Sequence, residues 1–252
     1  MSFRSLIRNG LSASLILLVA LSGLALGQED SSDILEVSKR MVALERAGKF
    51  AAALPWAEQA VALSEQTLGP DHPTVAVYLD HLGTLHHTLG KITKAEPLFQ
   101  RALAIQERML GVEHMAVSTT LNHLAKLYLT IGQRAKAESL LQRALRIREK
   151  VLGQDDPSVA AILSNLAMLY EADGQYAKAE PLFQRALAIQ EKSLGPAHSN
   201  VATTLENYAH LLRTAHRTDE ATPLEARAKL IRENVPVIRQ DYPKKAGEEE
   251  KK

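Results

Sequence analysis

The stretch Lys94 to Glu107, KAEPLFQRALAIQE, returns unchanged at Lys178 to Glu191. Midway between them, Lys136 to Glu149 reads KAESLLQRALRIRE, so the chain repeats itself every 42 residues. A fixed period of this size marks a solenoid, in which each unit buries its apolar face only against its neighbours. Such an array presents a long surface, which points to a binding scaffold.

Adding 42 traces the register. Leu68-Gly69, Leu110-Gly111, Leu152-Gly153 and Leu194-Gly195 close the second helix of successive units, and Gly48, Gly90, Gly132 and Gly174 mark the turn inside each unit. His72-Pro73 and Asp156-Pro157 start two first helices, with proline where its missing N–H costs little. Each unit reads as helix, tight turn, helix, short loop. The first helices carry stripes such as Leu121, Leu124, Ala125 and Tyr128, spaced as one face of an α-helix. Second helices repeat the stripe through Ala95, Leu98, Phe99, Ala102 and Ile105. Small residues stay in register at Ala102, Ala144, Ala186 and Ala228, where helix axes approach closely. The expected fold is all-α, with units at about 34–69, 73–111, 115–153, 157–195 and 199–234. Asp33 to Glu36 reads as a capping box opening the first helix, which runs to about Ala47. Pro55 is expected in the first turn of the second helix.

The fifth unit departs from the pattern. Its turn glycine becomes His216, and core positions held by Phe99, Leu141, Phe183 and by Leu103, Leu145, Leu187 become Glu225 and Lys229. Charge on the outer face of a last helix is the mark of a cap. The array is expected to end near Asn234, with 235–252 a charged, disordered tail.

At the other end, Arg4 and Arg8 precede an apolar run, Leu11 to Leu26, that stops at Gly27-Gln28-Glu29-Asp30. This is the layout of a secretory signal over residues 1–27, with Ala25 and Gly27 at the small-residue exit. It predicts an exported protein, periplasmic or secreted, or one anchored by an uncleaved segment. Residues 28–252 carry 28 basic against 29 acidic side chains, so no nucleic-acid footprint is present. Without cysteine there are no disulfides or thiolate metal sites.

These residues resemble a known family. The runs Leu163 to Tyr170, Gly174, Ala179 to Leu182, Arg185 to Glu191 and Leu152 to Pro157 look like the tetratricopeptide repeat, in the 42-residue form of kinesin light chains. The resemblance implies a right-handed superhelix of about five helix pairs whose first helices line a concave, peptide-binding groove. It also implies that an Asn on the first helix clamps the ligand backbone. Asn165 and Asn207 match that position, while the preceding units carry His81 and His123.

An Asn amide offers donor and acceptor together, so it can pair with any peptide unit. The alternative is that these residues only bond neighbouring helices. The expected peptide contacts are Asn165, Asn207, His81, His123, Lys126 and Asn122. His87 and His210 are expected on the same face. A metal site among the histidines is an alternative, but no His-x-x-x-His pair supports it and polar groove residues are the plainer reading. His86 falls on the apolar stripe and reads as a packed core histidine. Arg101, Arg143, Arg185 and Arg227 form a period-42 column, as do Glu65, Glu107, Glu149, Glu191 and Glu233, and they read as solvated faces whose charges offset. Carboxylates recur as surface columns, with no isolated buried pair. No phosphate loop, nucleophile elbow or zinc-protease motif is found. The sequence therefore predicts a non-enzymatic scaffold with no cofactor, binding a peptide or protein segment. The alternative is a self-associating structural protein.

Overall fold

The computed structural model describes residues 28–234; the expected signal segment 1–27 and tail 235–252 lie outside them. The described residues form ten helices and no strand: α1 (Gln28–Arg46), α2 (Phe50–Leu68), α3 (Pro73–Thr88), α4 (Ile92–Leu110), α5 (Met115–Thr130), α6 (Arg134–Leu152), α7 (Pro157–Ala172), α8 (Tyr176–Leu194), α9 (Ser199–Thr214) and α10 (Thr218–Asn234). Odd-numbered helices are the first, or A, helices of five repeats, and even-numbered ones the second, or B, helices. Each A helix packs most closely on its own B helix and then on the preceding B helix. No described helix is long and apolar enough to cross a membrane.

Two sequence expectations need correction. Helix α1 begins at Gln28, so Asp33 lies inside it and does not open it. No Gly or Pro stands between Gln28 and Asp33 to stop the helix earlier. Pro55 is the sixth residue of α2, beyond the first turn, and Pro97, Pro181 and Pro223 occupy the same place in α4, α8 and α10. Each removes one helical hydrogen bond to the residue four positions back. Those residues, Ala51, Thr93, Ala177 and Asp219, are exposed, so water can take up the freed carbonyl.

The repeated stripes form the core. Leu79, Leu121, Leu163 and Leu205 of the A helices are buried, as are Ala102, Ala144, Ala186 and Ala228 of the B helices. Phe99, Leu141 and Phe183 are also fully buried, while Leu98 is half-buried. Gly83 replaces the alanine used at this place in later repeats; a Cβ there would stand 2.8 Å from the Phe99 ring. Tyrosines fasten each A helix to the B helix before it. Tyr128 donates to Glu96 at 2.8 Å, Tyr170 to Glu138 at 2.7 Å and Tyr208 to Glu180 at 2.8 Å. His86 holds the tyrosine position in α3, buried as expected, but its Nδ1 has no hydrogen-bond partner.

The charged columns link repeats on the outer side. Arg101 pairs with Glu65 at 2.5 Å, Arg143 with Glu107 at 2.6 Å, Arg185 with Glu149 at 2.7 Å and Arg227 with Glu191 at 2.5 Å. Each pair joins one B helix to the B helix of the preceding repeat, so the charges offset as the sequence implied. The fifth repeat carries a wet outer face, as expected: Lys229 is exposed, and Glu225 is held by Arg213.

Candidate functional site: the inner face of the A helices

The backbones of α3, α5, α7 and α9 come close to one another in sequence, whereas those of successive B helices stay further apart. The A row therefore follows the shorter path and forms the inner, concave face. All six expected contact residues lie on A helices along this face, but they fall into two groups.

The first group spans α1, α3 and α5. The backbones of α1 and α3 stand further apart than those of later A helices. A pocket of about 340 Å³ opens beside them, lined by Glu45, Arg46, Phe50, Asp80, His81 and His123 among others. His81 Nδ1 lies 3.7 Å from Glu45 Oε1. Asp80 accepts from Thr120 Oγ1 at 2.8 Å and from His123 Nδ1 at 2.8 Å. Burial raises the Asp80 carboxyl, but the charge and hydrogen bond of His123, with His81 and Thr120, outweigh it and hold the group below the usual carboxylate range. Burial works to lower His81, but Glu45 and then Asp80 hold it above its ordinary value. His87 pairs with Thr130 Oγ1 at 3.0 Å and is lowered by burial, then by His123 and Lys126. Lys126 is lowered by burial and makes no ion pair among the described residues.

The second group spans α5, α7 and α9. Asn165 Nδ2 donates to Asn122 Oδ1 at 2.8 Å, which joins two expected residues across a repeat boundary. Asn207 Nδ2 has only a long contact, 3.9 Å, to Met168 Sδ. Beyond it, His210 Nδ1 meets Glu171 Oε1 at 2.6 Å. Two amide groups thus face the groove with bonding capacity left over. Met168, which is 45% exposed, adds an apolar spot between them.

Sequence reasoning missed Asp80, and its reading of carboxylates as surface columns is corrected by this buried one. A signal was present: Asp80, Asn122, Ser164 and Glu206 form a polar column at period 42, one residue before the His81–His123–Asn165–Asn207 column. Glu45 and Met168 had no such signal. Among the described residues no three His, Asp or Glu side chains form a set able to hold a metal ion.

The tetratricopeptide repeat model matches residues 42–108, 82–150 and 158–233. The chain belongs to the tetratricopeptide repeat family. Among solved structures, the nearly identical TPR-like repeats of a Podosopora anserina kinesin light chain are 27% identical, with a TM-score of 0.65 over 80% of this chain and 95% of that one. BtubC (BKLC) from P. vanneervenii is 20% identical, with a TM-score of 0.71 over 100% of this chain and 99% of that one. MamA from Desulfovibrio magneticus RS-1 is 14% identical, with a TM-score of 0.55 over 81% of this chain and 97% of that one. The last two likenesses concern the fold alone. No curated protein matches the chain by sequence. The repeat fold makes the chain a protein–protein interaction scaffold in general terms, and repeat proteins of this family are generally not enzymes.

Proposed function

We propose that the chain holds a peptide or protein segment in the groove lined by its A helices. The observation that carries this reading is the unused polar capacity on the inner face. Asn165 spends one N–H on Asn122, and Asn207 has only a long contact to sulfur. Lys126, near His87 further along the same face, makes no ion pair among the described residues. An amide supplies a donor and an acceptor to a peptide unit of any sequence, which gives affinity with little side-chain selectivity. The walls are preformed helices, so binding needs little rearrangement. The pocket beside α1 and α3 would then take one side chain of the segment.

The basic start, apolar run and small-residue exit of residues 1–27 support export to the periplasm or medium. Terminal sequencing of the protein recovered outside the cytoplasm should begin at Gln28; an intact Met1 end in the membrane fraction would replace export by anchoring. The groove reading is tested by affinity capture from the exported fraction, with the wild type beside Asn165→Ala/Asn207→Ala. A partner kept by the wild type and lost by an equally helical variant supports it. A partner held equally by both moves binding elsewhere.

A second reading is self-association. It is favoured by Met109, Val112, Val151 and Leu152, which are exposed near the loop ends of repeats two and three. Light scattering decides it: a mass near one chain removes this reading.

A further inference from the structure

Helices α3, α5, α7 and α9 begin in the same way. A loop glycine carbonyl accepts the N–H of the capping residue: His72 to Gly69 at 3.2 Å, His114 to Gly111 at 3.1 Å, Asp156 to Gly153 at 3.4 Å and His198 to Gly195 at 3.2 Å. The capping side chain then accepts the N–H two residues on. In α7 the acceptor is the Asp156 carboxylate, 2.9 Å from Ser158 N. In the other three it is an imidazole Nδ1, 3.2 Å from Thr74 N, 3.1 Å from Ala116 N and 3.1 Å from Asn200 N.

The chemistry of these two acceptors differs. A carboxylate stays an acceptor down to strongly acid pH. An imidazole accepts at Nδ1 only while that nitrogen keeps its lone pair, so the ring proton of each histidine cap sits on Nε2. Adding a second proton sets donor against donor and places a cation at the positive end of the helix. The surroundings offer no relief. Arg101 donates to Pro70 O, Arg143 to Val112 O and Arg227 to Pro196 O in these same loops, each at 3.3 to 3.5 Å. The loop carboxylates are already held, Asp71 by Arg108 and Glu113 by Lys150. The loop before α9, Gly195 to His198, contains no carboxylate.

We propose that His72, His114 and His198 form an acid-sensitive latch along the loop edge of the array. At neutral pH they cap α3, α5 and α9. On acidification they release those three starts, while Asp156 keeps α7 fixed. Because A helices form the groove wall, the latch ties the inner face to pH. The groove residue His81 works in the opposite sense, since Glu45 and then Asp80 hold it above its ordinary value.

The test is amide hydrogen exchange by NMR on the full chain at pH 7.5 and 5.5, corrected for intrinsic exchange. Protection at Thr74, Ala116 and Asn200 should fall about fivefold relative to Ser158 at the lower pH, the size of a lost cap. His114→Asp should make Ala116 behave like Ser158 and leave Thr74 and Asn200 acid-sensitive. Asp156→His should add Ser158 to the sensitive set. Four amides that respond alike, or an Ala116 still acid-sensitive in His114→Asp, would overturn the proposal.

Discussion

The two halves of the inner face are built differently on one repeated core. From α1 to α5 the groove is ionic and titratable, with Glu45, His81, Asp80 and His123 beside an open pocket. From α5 to α9 neutral amides and a thioether, Asn122, Asn165, Met168 and Asn207, lead, with the His210–Glu171 pair beyond them. The residues beneath do not change in step. Positions 102, 144, 186 and 228 are all alanine, and 101, 143, 185 and 227 are all arginine. Where a side chain fills the core or bridges B helices, every repeat must solve the same packing problem. Where it faces the groove, the repeats are free to differ, and they do. That contrast locates the specialised part of the molecule.

The largest expected effect sets the halves directly against each other. Asp80→Ala leaves the Thr120 hydroxyl and the His123 ring without their shared buried acceptor. It should cost about 2–3 kcal/mol, read as a lower denaturant midpoint. Asn165→Ala gives up one partly exposed amide bond and should cost about 0.5 kcal/mol. Equal losses would erase the distinction between an interlocked half and an open one.

Core substitutions should ignore the division. Ala102→Leu and Ala186→Leu each overpack a fully buried site and should each cost about 1–3 kcal/mol. Unchanged thermal unfolding in either would remove the helix register. At the end of the array, His216 has a φ of 61°, in the region that Gly48, Gly90, Gly132 and Gly174 occupy freely. His216→Gly should therefore raise stability by about 1 kcal/mol, seen as a higher melting temperature.

The smallest effect is the pH dependence that His81 and Asp80 lend to the ionic half. His81 lies above its ordinary value of 6.5, so its contribution is full below that pH and fades as pH rises through the folded value. Asp80 lies below its ordinary 3.8, so its contribution is full above that pH and fades as pH falls through the folded value. His81→Asn should flatten the fall in unfolding midpoint between pH 6 and 8, whereas Asn207→Ala should leave it as in the wild type.

Much of this was legible in the sequence, and the reason is the repetition. A 42-residue period repeats the core stripe, the turn glycines and the ion-pair columns several times, so helix register and unit boundaries could be counted off. The charged outer face of α10 was readable from Glu225 and Lys229. What escaped depends on contacts between units that no single period encodes. Asp80 is buried because Thr120 and His123 of the next repeat close over it. The pocket exists because the backbones of α1 and α3 stand further apart than those of the later A helices. The helix-capping role of His114 and His198 was missed because only His72 and Asp156 stand before a proline.

The central claim is that the inner face is the binding face. Incorporating a photo-reactive phenylalanine at Lys126 or Asn207, and separately at Arg146 on the B side, tests it in the native cell. Irradiation should give a covalent adduct from the two groove positions, of the same partner, and none from Arg146. An adduct from Arg146 with nothing from Lys126 or Asn207 would contradict the account and move recognition to the outer face.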